Sequence, residues 1–322
     1  MRRGIVWLLA ATMVAAPVSA AEYKAPRTAF GQPNLEGVWN THFILPIEAR
    51  PEVLSLTLPE PEASVLAHTI ARETDSLAIL ALDPEIGEMH KTMAEQGLAI
   101  VRGERRTRQV VQPADGKLPY TSAARREVDY IENLIATEID PPQRADHPEQ
   151  RPSWERCLAL QGQPPIIAVT DANPRRIIQT RDHVLIHTEY GDEVRIVPFT
   201  DKHRATVHRS VLGDSIARWE GDTLVIETVR LPARDRMRVF PTLIVPGEAT
   251  VIEKYTRLSK DELLYQYTVI DPAVYTAPWL AEYSLYRTDA RMFEFACHEG
   301  NYSLPGILQG AREKERKAAL SQ

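Results

Sequence analysis

From about residue 165 the sequence breaks into short runs that alternate apolar and polar residues, and this pattern constrains the fold more than any other feature. The runs are "RRIIQT", "HVLIHTEY", "EVRIVPF", "SIARWE", "TLVIETV", "TVIEKYTRL", "ELLYQYTVID", "LAEYSLYRT" and "MFEFACHE". Side chains on a strand point to opposite faces in turn, so period-two alternation buries one face and wets the other. The runs are rich in Val, Ile, Tyr and Thr, which suit a pleated, half-buried surface. Turn residues separate them in "TRDH", "YGDE", "WEGDT", "LSKDE" and "RTDAR". Nine such runs, with almost no helical spacing between them, predict an antiparallel meander. A meander exposes two sheet edges unless it curls into a barrel. No repeat of fixed length is present, which argues against a propeller.

The stretch before these runs has a different period. In "LPEPEASVLAHTIARETDSLAILA", Val65, Leu66, Ile70 and Leu77 fall on one helical face, and Glu60 and Glu62 suit a helix start. "SAARREVDYIENLIA" repeats the pattern, with Ser122 as the expected N-cap. Pro113, Pro119, Pro141, Pro142, Pro148 and Pro152 interrupt the segment. The expected fold is therefore mainly β: an antiparallel meander barrel with an α-helical and loop N-terminal excursion. Residues 21–45 hold the first strand region, 46–160 the helix and loop excursion, 161–305 the barrel, and 306–322 a C-terminal helix or tail.

Residues 1–20 read as a signal peptide. Arg2 and Arg3 precede an apolar run from Ile5 to Ala16, and Val18-Ser19-Ala20 forms a small-x-small cleavage site. That run is too short to span a bilayer, and no later stretch approaches the required length. No cysteine follows Ala20, so a lipid anchor is not expected. The expected location is periplasmic or secreted. The 322-residue chain has a net charge of -6, and losing two arginines would leave 36 basic against 44 acidic residues, near -8. Such a chain has no basic footprint for nucleic acid. In an oxidising compartment the two cysteines, Cys157 and Cys297, are expected to pair.

"NLEGVWN" (34–40) resembles the opening of lipocalin-like barrels, where a Trp after Gly-x plugs one end. A wider resemblance covers nearly the whole mature chain. "LPIEARPE", "GKLPYT", "ERCL", "RIIQTRDHVLIHTEY", "RIVPF", "LGDSIARWEGDTLVIETV", "EKYTRLSKDELLYQYTVIDPAVYTAPWLAEY" and "ACHEGNYSLPGILQGAR" resemble, block by block, a family of exported bacterial proteins, most of them of no described activity. The resemblance implies a fold and brings no chemistry. The chain departs from the family pattern at "AVTDANPRR", where an Asn-rich approach is usual, and at "FTDKH", where an Asp-Gly turn is usual. If these loops form a mouth, they set specificity.

Alternation assigns candidate faces. His183, Leu185, His187 and Glu189 share one; Arg195 opposes Val194 and Ile196; Glu227 goes with Val225; Glu253 with Tyr255 and Arg257; Tyr265 with Tyr267; Glu282 with Ser284 and Tyr286. If these faces line a lumen, Arg195, Glu227, Tyr255, Tyr267 and Glu282 would contact a ligand, with Asn301 at the rim. If they face solvent, they need no function. "ACHEGNY" concentrates reactive residue types. Were Cys297 tied to Cys157, His298 would point the other way on a pinned corner, free to move a proton near neutral pH. Glu299, or Glu253 from another strand, would orient it. The alternative is a structural corner, with Gly300 at positive φ and Asn301 in an Asx-turn.

His183 and His187 are four apart, which on a strand separates them by roughly 13 Å at about 3.3 Å per residue. They do not make a metal pair, even with His203 and His208 nearby, and no metal or other cofactor is expected. There is no Gly-rich phosphate loop and no GxSxG around Ser215 or elsewhere. Two classes of function remain. One is a barrel that binds a small, partly aromatic or polyhydroxylated molecule. The other is a cofactor-free acid/base enzyme, a hydrolase, lyase or isomerase, working through His298. The sequence leaves the oligomeric state open.

Overall fold

A computed structural model describes residues 23–41, 43–75, 92, 94–137, 145–151, 153–168, 173–205, 208–232, 237–239, 242–244 and 247–320. The expected leader and Leu77 lie outside them.

Nine strands form one curled antiparallel sheet. In chain order they are β1 (Gly37–Asn40), β6 (Arg175–Gln179), β7 (His183–Thr188), β8 (Glu193–Pro198), β9 (Asp214–Glu220), β10 (Thr223–Val229), β13 (Thr250–Arg257), β14 (Glu262–Ile270) and β15 (Trp279–Arg287). Their spatial order is β8-β7-β6-β1-β15-β14-β13-β10-β9. The two end strands approach each other, joined by a parallel bridge between Phe199 and Ala217, so the barrel is nearly closed. β1 is inserted between β6 and β15, with Trp39 opposite Arg175 on one side and Arg287 on the other. This is the mainly-β meander barrel expected from the alternation, and it is consistent with a lipocalin-like barrel.

The inward faces follow the period of two. Ile177, Val184, Ile186, Val197, Leu224, Ile226, Val251, Leu263, Val269 and Leu285 are all buried. Tyr255, Tyr265, Tyr283, Tyr267 and Trp279 fill the rest. Their ring centroids lie 4.8 Å (Tyr255–Tyr265), 5.1 Å (Tyr265–Tyr283), 5.4 Å (Tyr265–Tyr267) and 5.6 Å (Tyr267–Trp279) apart. Aromatic rings bury large areas and add specific edge and stacking contacts. Trp39 closes one end: its indole donates to the Leu35 carbonyl at 2.8 Å, and the guanidinium groups of Arg257 and Arg287 lie 5.6 and 5.7 Å from its ring. Gly37 belongs to the same device. It sits at φ 142°, and a Cβ there would stand 3.1 Å from an Arg287 nitrogen.

The excursion holds α1 (Glu60–Asp75), α2 (Ser122–Thr137) and four short strands: β2 (Thr57–Leu58), β3 (Ile100–Val101), β4 (Glu104–Arg106) and β5 (Val110–Gln112). Those strands were not expected from sequence. Leu66 and Ile70 are buried on α1 as predicted, but Val65 is exposed and Ala63, Ala67 and Ala71 complete the face. Thr121, not Ser122, caps α2, accepting from the Ala124 N–H at 3.3 Å. β5 pairs with β15 and clamps the excursion to the barrel wall. A short β11 (Met237–Val239) and β12 (Thr242–Ile244) form a separate hairpin, and α3 (Ser303–Leu320) is the last described element.

The expected ninth run, "MFEFACHE", is not a strand; residues 288–300 are irregular, ending in a turn. β15 already has β14 on one side and β1 and β5 on the other. No ladder is left for a further strand to join, so the expected pairing of this run with "LAEYSLY" does not occur. Phe295 instead packs on Tyr190 at 4.4 Å.

Candidate functional site

Alternation separates the candidate residues into two groups that never meet. Arg195, Glu253, Tyr255, Tyr265 and Tyr267 point inward. Glu227 and Glu282 lie on outward faces.

Inside, Glu253 is the centre. Both its oxygens take Arg195 nitrogens, at 2.5 and 2.9 Å. The Tyr265 hydroxyl donates to it at 2.8 Å and that of Tyr255 at 3.4 Å. Arg195 is 4% exposed and Glu253 0%. Burial alone would ease deprotonation of Arg195, but the Glu253 carboxylate beside it reverses the effect and its pKa is raised. Burial, reinforced by the Glu253 charge, lifts the Tyr255 and Tyr265 hydroxyls well above their usual range. A plug covers this layer. The Ile166 N–H donates to Tyr265 Oη at 2.9 Å, and the Tyr283 hydroxyl donates to the Ile166 carbonyl at 2.7 Å. Gln109, which sequence reasoning missed, tethers the same segment: it donates to the Ala168 and Leu45 carbonyls at 2.9 Å each and accepts from Tyr267 at 3.1 Å. The polar layer around Glu253 is thus a structural network whose groups bond to one another.

Glu282 faces outward yet is buried beneath the excursion, where Arg106 holds it at 2.9 Å and Gln266 at 2.9 Å. Glu227 meets His203 at 3.2 Å, and the other ring nitrogen of His203 lies 3.3 Å from Asp214. His187 pairs with Asp192 at 2.7 Å.

"ACHEGNY" is a pinned corner. Cys157 and Cys297 form a disulfide with 5.8 Å between Cα atoms, closing a separation of 140 residues. Asn301 donates to the Glu155 carbonyl at 2.7 Å, and its side-chain oxygen accepts from the Leu304 N–H at 3.2 Å at the start of α3. Gly300 is not at positive φ; Cys157 is, at 54°. His298 and Glu299 are exposed, and among the described residues no carboxylate is hydrogen-bonded to the His298 ring. Glu253 is sealed inside the barrel. The structure therefore does not bring His298, Glu299 and Glu253 together.

An open groove lies elsewhere, at the seam between β8 and β9. It encloses about 420 Å³ and is lined by Gln32, Arg181, Phe199, Thr200, Asp201, Ala217, Arg218 and Trp219. The rings of Phe199 and Trp219 stack 6.2 Å apart at 25°. Gln32 donates to the Arg181 carbonyl at 3.2 Å, which ties the N-terminal segment to the groove wall. Sequence reasoning reached only its neighbourhood, through the "FTDKH" departure. The aromatic pair was hidden because Phe199 and Trp219 belong to runs 20 residues apart that meet only when the sheet curls. A larger hollow of about 670 Å³ lies between α1 and residues 52–58; apolar Val53, Leu54, Leu58, Val65 and Leu66 dominate it, with few groups to orient a ligand.

The chain matches no known protein family, no curated protein and no solved structure. No helix among the described residues is long and apolar enough to cross a membrane, and among them no cluster of His, Cys, Asp and Glu could hold a metal.

Proposed function

We propose that this chain is an exported β-barrel protein of the bacterial family its sequence blocks resemble, and that it binds a small, partly aromatic or polyhydroxylated molecule. The leader-like N-terminus and the disulfide support export. The seam groove supports binding. Its stacked Phe199–Trp219 pair is the observation that carries the reading, because an aromatic face accepts either a ring or the C–H face of a sugar. Arg181, Arg218, Asp201, Thr200 and Gln32 supply donors and acceptors around that face, the usual division of labour in a ligand site. The departures at "AVTDANPRR" and "FTDKH" would tune which ligand fits. Proton transfer at His298 has no comparable support, since among the described residues no carboxylate is hydrogen-bonded to its ring.

Titrating the protein with a panel of monosaccharides, phenols and aromatic acids, read by indole fluorescence, tests this. At least one class should quench saturably, and Trp219→Ala should weaken that ligand at least tenfold while leaving the fold intact by circular dichroism. A panel that gives no saturable response, or a variant that binds as the parent does, overturns the reading.

A further inference from the structure

Arg175 is 2% exposed and sits on the inward face of β6, yet none of its three guanidinium nitrogens has a hydrogen-bond partner among the described residues. Its cross-strand neighbour on β7 is Thr188, 1% exposed, and the Thr188 hydroxyl is likewise unpartnered. Thr41 follows Trp39 by two positions, next to the strand that pairs with Arg175; it is 0% exposed and its hydroxyl is also without a partner. Three neighbouring segments thus present donors near one end of the barrel, with nothing among the described residues to receive them.

The charges point the same way. Among the described residues the inward carboxylates are Glu253, both of whose oxygens are committed to Arg195, and Glu193, across from Thr188, whose oxygens accept from the Leu160 and Gly162 N–H groups. Arg257, near the Trp39 end, spends its nitrogens on the Asn34, Ser259 and Lys260 carbonyls. Arg175 is left as a desolvated cation with no hydrogen-bonded counter-charge among the described residues. Burying an unpaired ion is among the most unfavourable things a fold can do, and such charges are found paired or coordinated. The Arg175 charge is felt by the Tyr283 and Tyr255 hydroxyls, whose rise from burial it opposes.

We propose that Arg175, assisted by Thr188 and Thr41, holds a small oxyanion inside the barrel, the simplest example being a short carboxylate such as formate or acetate. A guanidinium presents a planar fork that matches two carboxylate oxygens, and a hydroxyl beside it adds a third donor. This site is separate from the seam groove and does not rest on it.

The test is linkage. A ligand that binds only the folded state raises its melting temperature with concentration. Purified full-length protein is melted in the sodium salt of a bulky sulfonate, with formate or acetate exchanged in at constant ionic strength. A saturable rise of roughly 5 °C across a hundredfold range is expected. Arg175→Met should abolish the rise and, in the sulfonate alone, melt no lower than the parent. Trp219→Ala should keep the rise. A second measurement needs no variant: parent protein, desalted and then denatured, should release about one equivalent of small anion by ion chromatography. The proposal is overturned if the parent shows no anion-dependent rise and releases no anion, the result expected if water alone fills the site. It is also overturned if Arg175→Met keeps the rise, or if chloride acts as strongly as acetate, which would remove the bidentate assignment.

Discussion

Replacing Glu253 by Gln preserves side-chain volume and deletes one charge. In the parent, that charge faces Arg195 through two hydrogen bonds of 2.5 and 2.9 Å and receives the Tyr265 hydroxyl at 2.8 Å. An amide offers one acceptor oxygen and turns a pair of donors toward Arg195, so the guanidinium loses its counter-charge while remaining inside. Removing one partner of a buried pair typically costs about 3–5 kcal/mol. For a chain of this size that corresponds to a melting temperature lower by roughly 10 °C. The companion experiment replaces both partners, Arg195→Met with Glu253→Leu. Because most of the single-variant loss is the penalty of the stranded charge, the double variant should recover to within about 2 kcal/mol of the parent. Urea unfolding with the disulfide intact reads both, provided the slope with denaturant is unchanged between variants. A Glu253→Gln variant that loses less than about 1 kcal/mol would refute the reasoning. So would a double variant as unstable as the worse single, which would show that packing around the pair matters and its charge does not.

The disulfide closes 140 residues, and the chain-entropy treatment gives about 5 kcal/mol for that loop, so Cys157→Ser with Cys297→Ser should lower the urea midpoint markedly; thiol titration of the denatured, unreduced parent, expressed into a bacterial periplasm, should find no free thiol. The hydroxyls of Tyr255, Tyr265 and Tyr283 are raised by burial, that of Tyr283 to about 12. A folded pKa above the unfolded one means their contribution is complete below about pH 10 and falls as pH rises from there through the folded value; absorbance at 295 nm should show these rings ionising only as the fold melts, and free titration near pH 10 in intact protein would contradict it. His298→Gln, at an exposed turn, should change unfolding free energy by no more than about 0.5 kcal/mol, and a large loss would mean that the corner leans on the imidazole.

The meander was legible because eight of its nine predicted runs are strands, most plainly "TVIEKYTR" of β13, where burial alternates without a break. What alternation could not decide was which face turns inward. In β13 the inward residues are Val251, Glu253, Tyr255 and Arg257, and in β15 the carboxylate Glu282 sits on the opposite face from Tyr283. Both strands read alike as a carboxylate sharing a face with an aromatic, Glu253 with Tyr255 and Glu282 with Tyr286, and only the curl of the sheet tells them apart. Arg175 escaped notice for a related reason. It stands beside Arg176, and nothing local says which of the two is swallowed. "MFEFACHE" misled because alternation states that a segment would fit a sheet, while an open ladder is what admits it. His298 drew attention by composition, and composition carries no information about neighbours brought from elsewhere.

The parallel bridge at Phe199 and Ala217 has a consequence that follows from parity. Direction reverses at every step around an antiparallel sheet, so with nine strands the first and last run the same way. A tight hairpin cannot join such a pair. Here the chain must travel from 199 to 213 before it re-enters the sheet, and that detour gives the closing contact a larger loop-closure entropy than the short turns joining β6 to β7, β7 to β8, β9 to β10 and β13 to β14. The barrel therefore has one stave fitted by fewer bonds than the rest. Amide exchange should be fastest along β8 and β9 and slowest along β13 to β15, where the ladders are longest. A wall that breathes at a single line admits molecules there without unfolding elsewhere, and that line is where the stacked Phe199 and Trp219 stand.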